Sequence, residues 1–251
     1  MGITSKHVAV LVDNYFEQSE FEEPISAIKD AGGEVTVIAT NSLSLQGMDH
    51  VMLTDAFTAD LLLKQASSTD YDALILPGGA INADQLRVVG EAQEWVHDFL
   101  DSGKLVAAIC HAPWLLASAD VLEGRQLTSY LTIRDDIENA GGEWVNRAVV
   151  VDDNLVTSRG PDDLPFFNGT IIKMLNDQPS SALQTDSETI VANSEEGNEK
   201  NLRMMAMGYD AGEDNLDVDD VEEIVGDEDL DDPDEVRPRN IEMNTEQDDA
   251  R

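Results

Sequence analysis

The chain has 251 residues, of which 52 are acidic and 15 are Lys or Arg, so its formal net charge is −37 at pH 7. This charge repels phosphates and argues against nucleic acid and anionic membranes as partners. A single cysteine excludes an internal disulfide and a multi-cysteine metal site, and fits a reducing compartment. The sequence has no signal-peptide pattern and no apolar run near the ~20 residues of a membrane helix. We therefore expect a cytoplasmic protein.

The charge and apolar content divide the chain into two parts. Residues 1–177 hold 28 acidic and 10 basic residues and are rich in compact runs of Val, Ile, Leu and Ala. Residues 178–251 hold 24 acidic and 5 basic residues and no Trp or Phe. This composition is typical of a disordered segment. We predict one folded domain over 1–177 and an acidic, disordered tail, with partner binding around 201–210 as an alternative role for the tail.

Strand-length apolar runs alternate with amphipathic stretches through the first part. Taken along the chain, the pattern predicts strands at 7–13, 34–40, 49–55, 72–79, 104–110, 125–130 and a pair within 144–158. Predicted helices cover 19–33, 58–67, 83–103, 112–122, 133–142 and 162–177. Continuously apolar strands alternating with helices indicate an α/β fold with a parallel sheet covered on both faces.

Ligands of such sheets bind outside the carboxyl ends of the strands. Asp13, Gly78, Gly79 and Cys110 all fall at these ends, on three different strands. We therefore expect these four residues to lie close together, and this grouping is the main indication of a binding or catalytic site in the sequence.

Cys110 lies between a buried strand and a helix, in "LVAAICHAPWLLAS". A helix N-terminus stabilises a thiolate and lowers the pKa of a thiol, and a strand-turn-helix elbow presents a nucleophile. The alternative is that Cys110 is a small buried apolar residue. His111, directly after it, favours the functional interpretation weakly.

An acidic cluster, "FEQSEFEEP", begins the first predicted helix and contains Glu17, Glu20, Glu22 and Glu23. Acidic residues in a first helical turn commonly complement the helix dipole. Alternatively, the glutamate that follows Phe16 points across the strand ends toward Cys110. A carboxyl group buried there would have a raised pKa and would hydrogen-bond the sulfur in its protonated form.

Four segments together resemble the ThiJ/PfpI family, and most closely its PfpI-like branch of intracellular cysteine peptidases, general stress proteins and protein deglycases. They are "YFEQSEFEEP", "LILPGGAINADQLR", "VAAICHAPWLLASADVLEGRQLTSYLTIRDDIENAGGEWVN" and "VVVDDNLVTSRGPDDLPFFN". The resemblance covers residues 6 to about 177 and leaves out the acidic tail. It implies a flavodoxin-like three-layer sandwich, similar to class I glutamine amidotransferases, and a homodimer or higher homo-oligomer.

The resemblance also implies roles for individual residues. Cys110 would be the nucleophile, and His111 its neighbour in the "CH" pair. Glu17, from the family's F-E-x-x-E segment, would be the carboxyl partner of the thiol. Gly78 and Gly79, with the amide of His111, would form the oxyanion hole. Asp84 would be the acidic residue that reaches the His of a neighbouring subunit. No metal or cofactor is implied.

The activity implied is attack of the cysteine on reactive carbonyls such as methylglyoxal, or on their adducts on protein side chains. A PfpI-type peptidase that depends on Asp84 and on assembly is the second enzymatic hypothesis. A redox-sensing or chaperone-like stress protein is the third, with Cys110 as an oxidisable switch. A glutaminase is disfavoured, because its catalytic histidine follows the cysteine and no histidine lies beyond His111.

Overall fold

The computed structural model describes residues 2–178. The predicted tail lies outside the described residues apart from Gln178, and so does the segment 201–210. Within the described part, helices long and apolar enough to cross a membrane are absent.

A seven-stranded sheet forms the centre of the fold. Its strands are β1 (His7–Val12), β3 (Glu34–Ala39), β6 (Leu61–Leu62), β7 (Ala73–Leu76), β8 (Leu105–Ile109), β11 (Val149–Asp152) and β12 (Leu155–Ser158). They lie side by side in the order β11-β12-β8-β7-β1-β3-β6. All neighbours pair in parallel except β11 and β12, which are antiparallel. Because β1, β7 and β8 are adjacent and parallel, their carboxyl ends meet at one edge of the sheet. The predicted α/β fold with a mostly parallel sheet is confirmed.

Helices cover both faces of the sheet. Their bounds are α1 (Gln18–Asp30), α2 (Ala80–Leu86), α3 (Gly90–Asp101), α4 (Pro113–Ser118), α5 (Arg134–Asn139) and α6 (Leu164–Asp177). Successive side chains of a strand point to opposite faces, so Leu11 packs in the core with α3 and α4, whereas Val10 packs in the core with α1 and α6. Burial of strand side chains on both faces explains why the strand sequences are continuously apolar.

Smaller strands lie outside the central sheet. Two of them, β9 (Gln126–Leu127) and β10 (Glu143–Trp144), form a parallel pair, and β2 (Phe16–Glu17), β4 (Ser44–Asp49) and β5 (Met52–Thr58) form a three-stranded sheet. The strand predicted at 49–55 is therefore wrong in its bounds. His50, with a φ of 56°, lies in the turn between β4 and β5.

Two predicted helices also differ from the structure. Residues 58–67 form β6 and a short 3-10 turn, because Leu61 and Leu62 pair with β3. Residues 83–103 form two helices, α2 and α3, because Val89 is extended, with φ −89° and ψ 107°. β-Branched valines followed by a glycine have low helix propensity, which accounts for the break.

Candidate active site

Cys110 lies at a sharp turn between β8 and α4. Its φ is +61°, in the left-handed region that non-glycine residues rarely adopt. The backbone holds this turn from both sides, since the N–H of Cys110 donates to Ser158 O at 3.0 Å and its carbonyl accepts from Tyr130 N–H at 2.9 Å. The predicted elbow is therefore present, and it is fixed by a neighbouring strand and a neighbouring loop.

Glu20 is the carboxyl group beside the thiol. It lies on the buried face of α1 and is 0% exposed. Its Oε2 accepts a hydrogen bond from the Gly78 N–H at 2.9 Å, and its side chain interacts with Cys110. Its Oε1 is buried and has no hydrogen-bond partner among the residues that the structure describes. A buried acid with an unused oxygen next to a thiol is well placed to exchange a proton there.

The ring of His111 faces the sulfur. Its Nδ1 is 3.1 Å from Sγ of Cys110, and its Nε2 is 3.4 Å from Oγ1 of Thr132. The ring of Tyr130 stacks on it with a centroid distance of 4.8 Å, and Trp114 meets it edge-on at 5.4 Å. The imidazole is therefore held against the thiol by aromatic contacts as well as by its own position in the chain.

The two glycines of "PGG" have different contacts. The Gly78 amide donates to Glu20, whereas the amides of Gly79 and His111 hydrogen-bond the sulfur of Cys110. The prediction that the Gly78 amide is part of the oxyanion hole is therefore wrong, because this N–H already donates to Glu20. Gly78 is required for space, because an added Cβ would lie 2.6 Å from Cβ of Cys110 and would overlap the Glu20 carboxyl group.

Burial shifts the titration of all three groups. It raises the pKa of Glu20 to about 8 from an ordinary 4.5, so the carboxyl group is protonated at neutral pH. Burial also raises the pKa of the Cys110 thiol, and ionised Glu20 raises it further, while the Gly79 and His111 amides lower it. The pKa of His111 is lowered by burial, so its imidazole is neutral. In the resting state the thiol is therefore protonated, with an acid and a base beside it.

The predicted lowering of the thiol pKa is therefore wrong. The prediction depended on a helix over 112–122, but α4 has only six residues, so its dipole is small. Cys110 is only 6% exposed. Loss of water around the sulfur outweighs the two amides that face it.

Comparison with known proteins identifies the family. The model of the DJ-1/PfpI family matches residues 6–174. The chain is 43% identical to general stress protein 18 of Bacillus subtilis over 172 residues, which is 68% of this chain and 98% of that protein. It is 43% identical to protein/nucleic acid deglycase 2 of Escherichia coli over 173 residues, again 68% of this chain and 98% of that protein. The chain belongs to the DJ-1/PfpI family.

Solved structures of the DJ-1/PfpI fold agree with this assignment. A two-domain protein of Anabaena variabilis, with DJ-1/ThiJ/PfpI-like and ferritin-like domains, superimposes with a TM-score of 0.64 at 36% identity. The match covers 68% of this chain and half of that longer chain. The family match includes Glu20, Gly78, Gly79, Cys110 and His111.

Within this DJ-1/PfpI domain the prediction for Glu17 is corrected. Glu17 lies before α1, and its Oε2 accepts a hydrogen bond from the N–H of His50 at 3.0 Å. The carboxyl group beside the thiol is Glu20, which ends the same F-E-x-x-E segment. Helical spacing could have identified it, because Glu20 shares the buried face of α1 with Pro24 and Ile28.

Asp84 is not brought to the thiol by any contact within the described chain. It lies on α2 and is exposed. A role in a neighbouring subunit's site stays a prediction.

One group of side chains has spacing suited to a metal ion among the described residues. Ligand atoms of Glu17, Asp49 and His50 lie within 4.8 Å of one another, and Asp49 and His50 are exposed. These residues lie on β2 and the β4–β5 hairpin, apart from the acid, base and thiol described above.

Proposed function

We propose that this chain is a cofactor-independent enzyme in which the Cys110 thiol attacks reactive carbonyls or their adducts on protein side chains. The observation that carries the proposal is the grouping of the thiol with a protonated carboxyl group, Glu20, and a neutral imidazole, His111. A protein/nucleic acid deglycase among its relatives supports the same class of activity.

The first step is addition of the thiol to an aldehyde carbon. The sulfur forms a bond to this carbon while its proton passes to Nδ1 of His111, 3.1 Å away. The electron pair of the C=O bond moves to oxygen, which takes a proton from the Glu20 carboxyl group. The product is a hemithioacetal, with Glu20 ionised and His111 protonated.

With an α-oxoaldehyde such as methylglyoxal, the ionised Glu20 then serves as the base. It removes the proton from the carbon attached to sulfur and returns it to the neighbouring carbon, while the hydroxyl proton of the first carbon passes to the carbonyl oxygen of the second. The product is a thioester of a hydroxy acid. Water adds its hydroxyl group to the thioester carbon and gives its other proton to Glu20, while the C–S bond breaks and the sulfur takes back the proton from His111. This step releases the hydroxy acid and restores the thiol. The sum is one aldehyde plus one water to one hydroxy acid, with no external oxidant. A pKa of about 8 suits Glu20 to both giving and taking a proton at neutral pH.

The charge of the chain bears on its substrates. The name of the Escherichia coli relative includes both protein and nucleic acid. Residues 1–177 of this chain carry 28 acidic and 10 basic residues, which repels phosphate backbones. We therefore propose small carbonyls and glycated protein side chains as substrates in preference to nucleic acid. A cytoplasmic location and a homodimer or higher homo-oligomer stay predictions, the second testable by light scattering.

The test is turnover of methylglyoxal, and release of its adducts from a lysine peptide, by wild type and Cys110→Ala. We expect loss of both activities in the variant to the uncatalysed rate, with an unchanged circular dichroism spectrum. Equal turnover by the two proteins contradicts the proposal.

The same samples separate the alternative functions. Peptide cleavage that is lost in Asp84→Asn supports the peptidase. Absence of both carbonyl turnover and peptide cleavage, together with peroxide oxidation of Cys110 detected by mass spectrometry, supports the redox-sensing protein.

A further inference from the structure

Asn82 is a buried polar residue that the mechanism has not used. It lies on α2, is 0% exposed and uses both ends of its amide group. Its Nδ2 donates to Pro77 O and to Gly78 O, both at 2.9 Å, and its Oδ1 accepts from the N–H of Asp13 at 2.6 Å. One side chain therefore joins the residue that follows β1 to the loop that follows β7.

The two carbonyls held by Asn82 belong to consecutive peptide planes. In a trans peptide the C=O and the following N–H point in opposite directions, and the described chain has no cis peptide. Holding the Pro77 carbonyl therefore directs the Gly78 N–H, which donates to Glu20. Holding the Gly78 carbonyl directs the Gly79 N–H, which hydrogen-bonds the sulfur of Cys110.

We propose that Asn82 is a positioning residue that sets the titration of the Glu20–Cys110 pair by orienting these two peptides. Its two N–H groups turn one amide to the acid and the next amide to the thiol. Glycines at 78 and 79 have no side chains to restrict peptide rotation, so the loop needs such an anchor. The catalytic meaning of this role rests on the proposed function, but the effect on the thiol does not.

The chain offers a matched control in Asn154. Its Nδ2 also donates to two main-chain carbonyls, those of Leu100 at 3.0 Å and Lys104 at 2.8 Å. These carbonyls lie before β8, at the opposite edge of the sheet from Cys110. Removing this amide costs similar hydrogen bonds and leaves the peptides at 78 and 79 in place.

The experiment measures the rate of Cys110 alkylation by iodoacetamide against pH in the full chain, for wild type, Asn82→Ala, Asn82→Ser and Asn154→Ala. Loss of the Gly79 amide from the sulfur raises the thiol pKa in Asn82→Ala. We expect a shift of about one pH unit, and about tenfold slower alkylation at a fixed pH below that pKa. Asn82→Ser keeps one donor and should shift less. Asn154→Ala should keep the wild-type profile.

A wild-type profile in a folded Asn82 variant, or an equal shift in Asn154→Ala, overturns the proposal. If Asn82→Ala fails to fold, Asn82→Ser decides. A measurement on the wild type needs no variant: the amide proton resonance of Gly79 should move through the thiol titration, and a stationary resonance also overturns the proposal. Failure of the proposed function would appear separately, as a wild-type protein with this alkylation profile but no carbonyl turnover.

Discussion

At the edge of the sheet where the strands begin, Lys6 and Asp72 form a buried ion pair, with Nζ and Oδ1 3.7 Å apart. Asp72 also accepts a hydrogen bond from the His7 N–H at 2.8 Å. At the edge where the strands end, Glu20 is also buried but is protonated, and one of its oxygens has no hydrogen-bond partner within the described part of the chain. The first edge stabilises its charges by pairing them, whereas the second leaves an acid and a thiol able to react.

The comparison teaches that burial of a polar group has two outcomes. Where a partner of opposite charge is present, the group contributes to the fold, and removing one partner is costly. Where the neighbours are a thiol and amides, the group stays neutral and its proton becomes available. The predictions below test this difference, from the largest expected effect to the smallest.

The first prediction concerns Glu20→Gln and pH. Because burial raises the pKa of Glu20 to about 8 from 4.5, the folded protein binds this proton more tightly than the unfolded chain between those values. The unfolding free energy of wild type, minus that of the variant, should therefore fall as pH rises from 4.5 to 8, by about 1.4 kcal/mol per pH unit. Urea unfolding across this range measures it.

The control for this prediction is the exposed Glu23 on the same helix. Wild type minus Glu23→Gln should give a nearly constant difference over the same pH range. A constant difference for Glu20→Gln as well would mean that Glu20 is ionised in the folded protein, and the contrast between the two edges would fail.

The second prediction concerns the ion pair at the other edge. Asp72→Asn removes the charge that pairs with Lys6, so we expect a loss of about 3 kcal/mol in unfolding free energy at pH 7. The pH profile of Cys110 alkylation should stay that of wild type, because the change is at the opposite edge. Asp70→Asn, at an exposed neighbour, is the control and should change stability little. An altered alkylation profile in Asp72→Asn would show that the edges are coupled.

The third and smallest effect compares two histidine–tyrosine contacts. The ring of Tyr71 lies 4.7 Å from that of His7 at the first edge, and the ring of Tyr130 lies 4.8 Å from that of His111 at the second. Tyr130→Leu frees the His111 ring, so Cys110 alkylation at pH 7 should slow about fivefold, for a contact worth about 1 kcal/mol. Tyr71→Leu should leave this rate unchanged. Equal slowing in both variants would mean a general loss of stability.

Sequence patterns predicted the fold where one physical signal dominates. The runs at 7–13 and 104–110 are continuously apolar, and they form β1 and β8 because strands buried on both faces accept only such residues. The run at 58–67 contains three leucines and was predicted as a helix, because short apolar runs fit either structure. Leu61 and Leu62 form a strand because they pair with β3. This contact is between residues far apart in the chain, so the local spacing of apolar residues does not predict it.

The site was predicted in part for a similar reason. The elbow at Cys110 is predicted by the succession of a strand, a turn and a helix. The "PGG" motif predicts the loop at Gly78. Two features depend on packing instead: Glu20 rather than Glu17 turns inward, and burial outweighs the dipole of a short helix. The sequence does not identify Asn82, because an asparagine in a helix gives no sign of which carbonyl groups its side chain will contact.

The tight fit at Gly78 has a consequence for redesign. Since a Cβ there would meet both Cys110 and Glu20, any side chain at position 78 would displace the thiol and the carboxyl group from each other. Tyr130 packs on His111 and should be kept, whereas its neighbour Leu131 is 62% exposed, so a change of side chain at Leu131 should disturb the packing little. Variants designed to change the proposed carbonyl specificity should therefore vary Leu131 and keep Gly78 fixed.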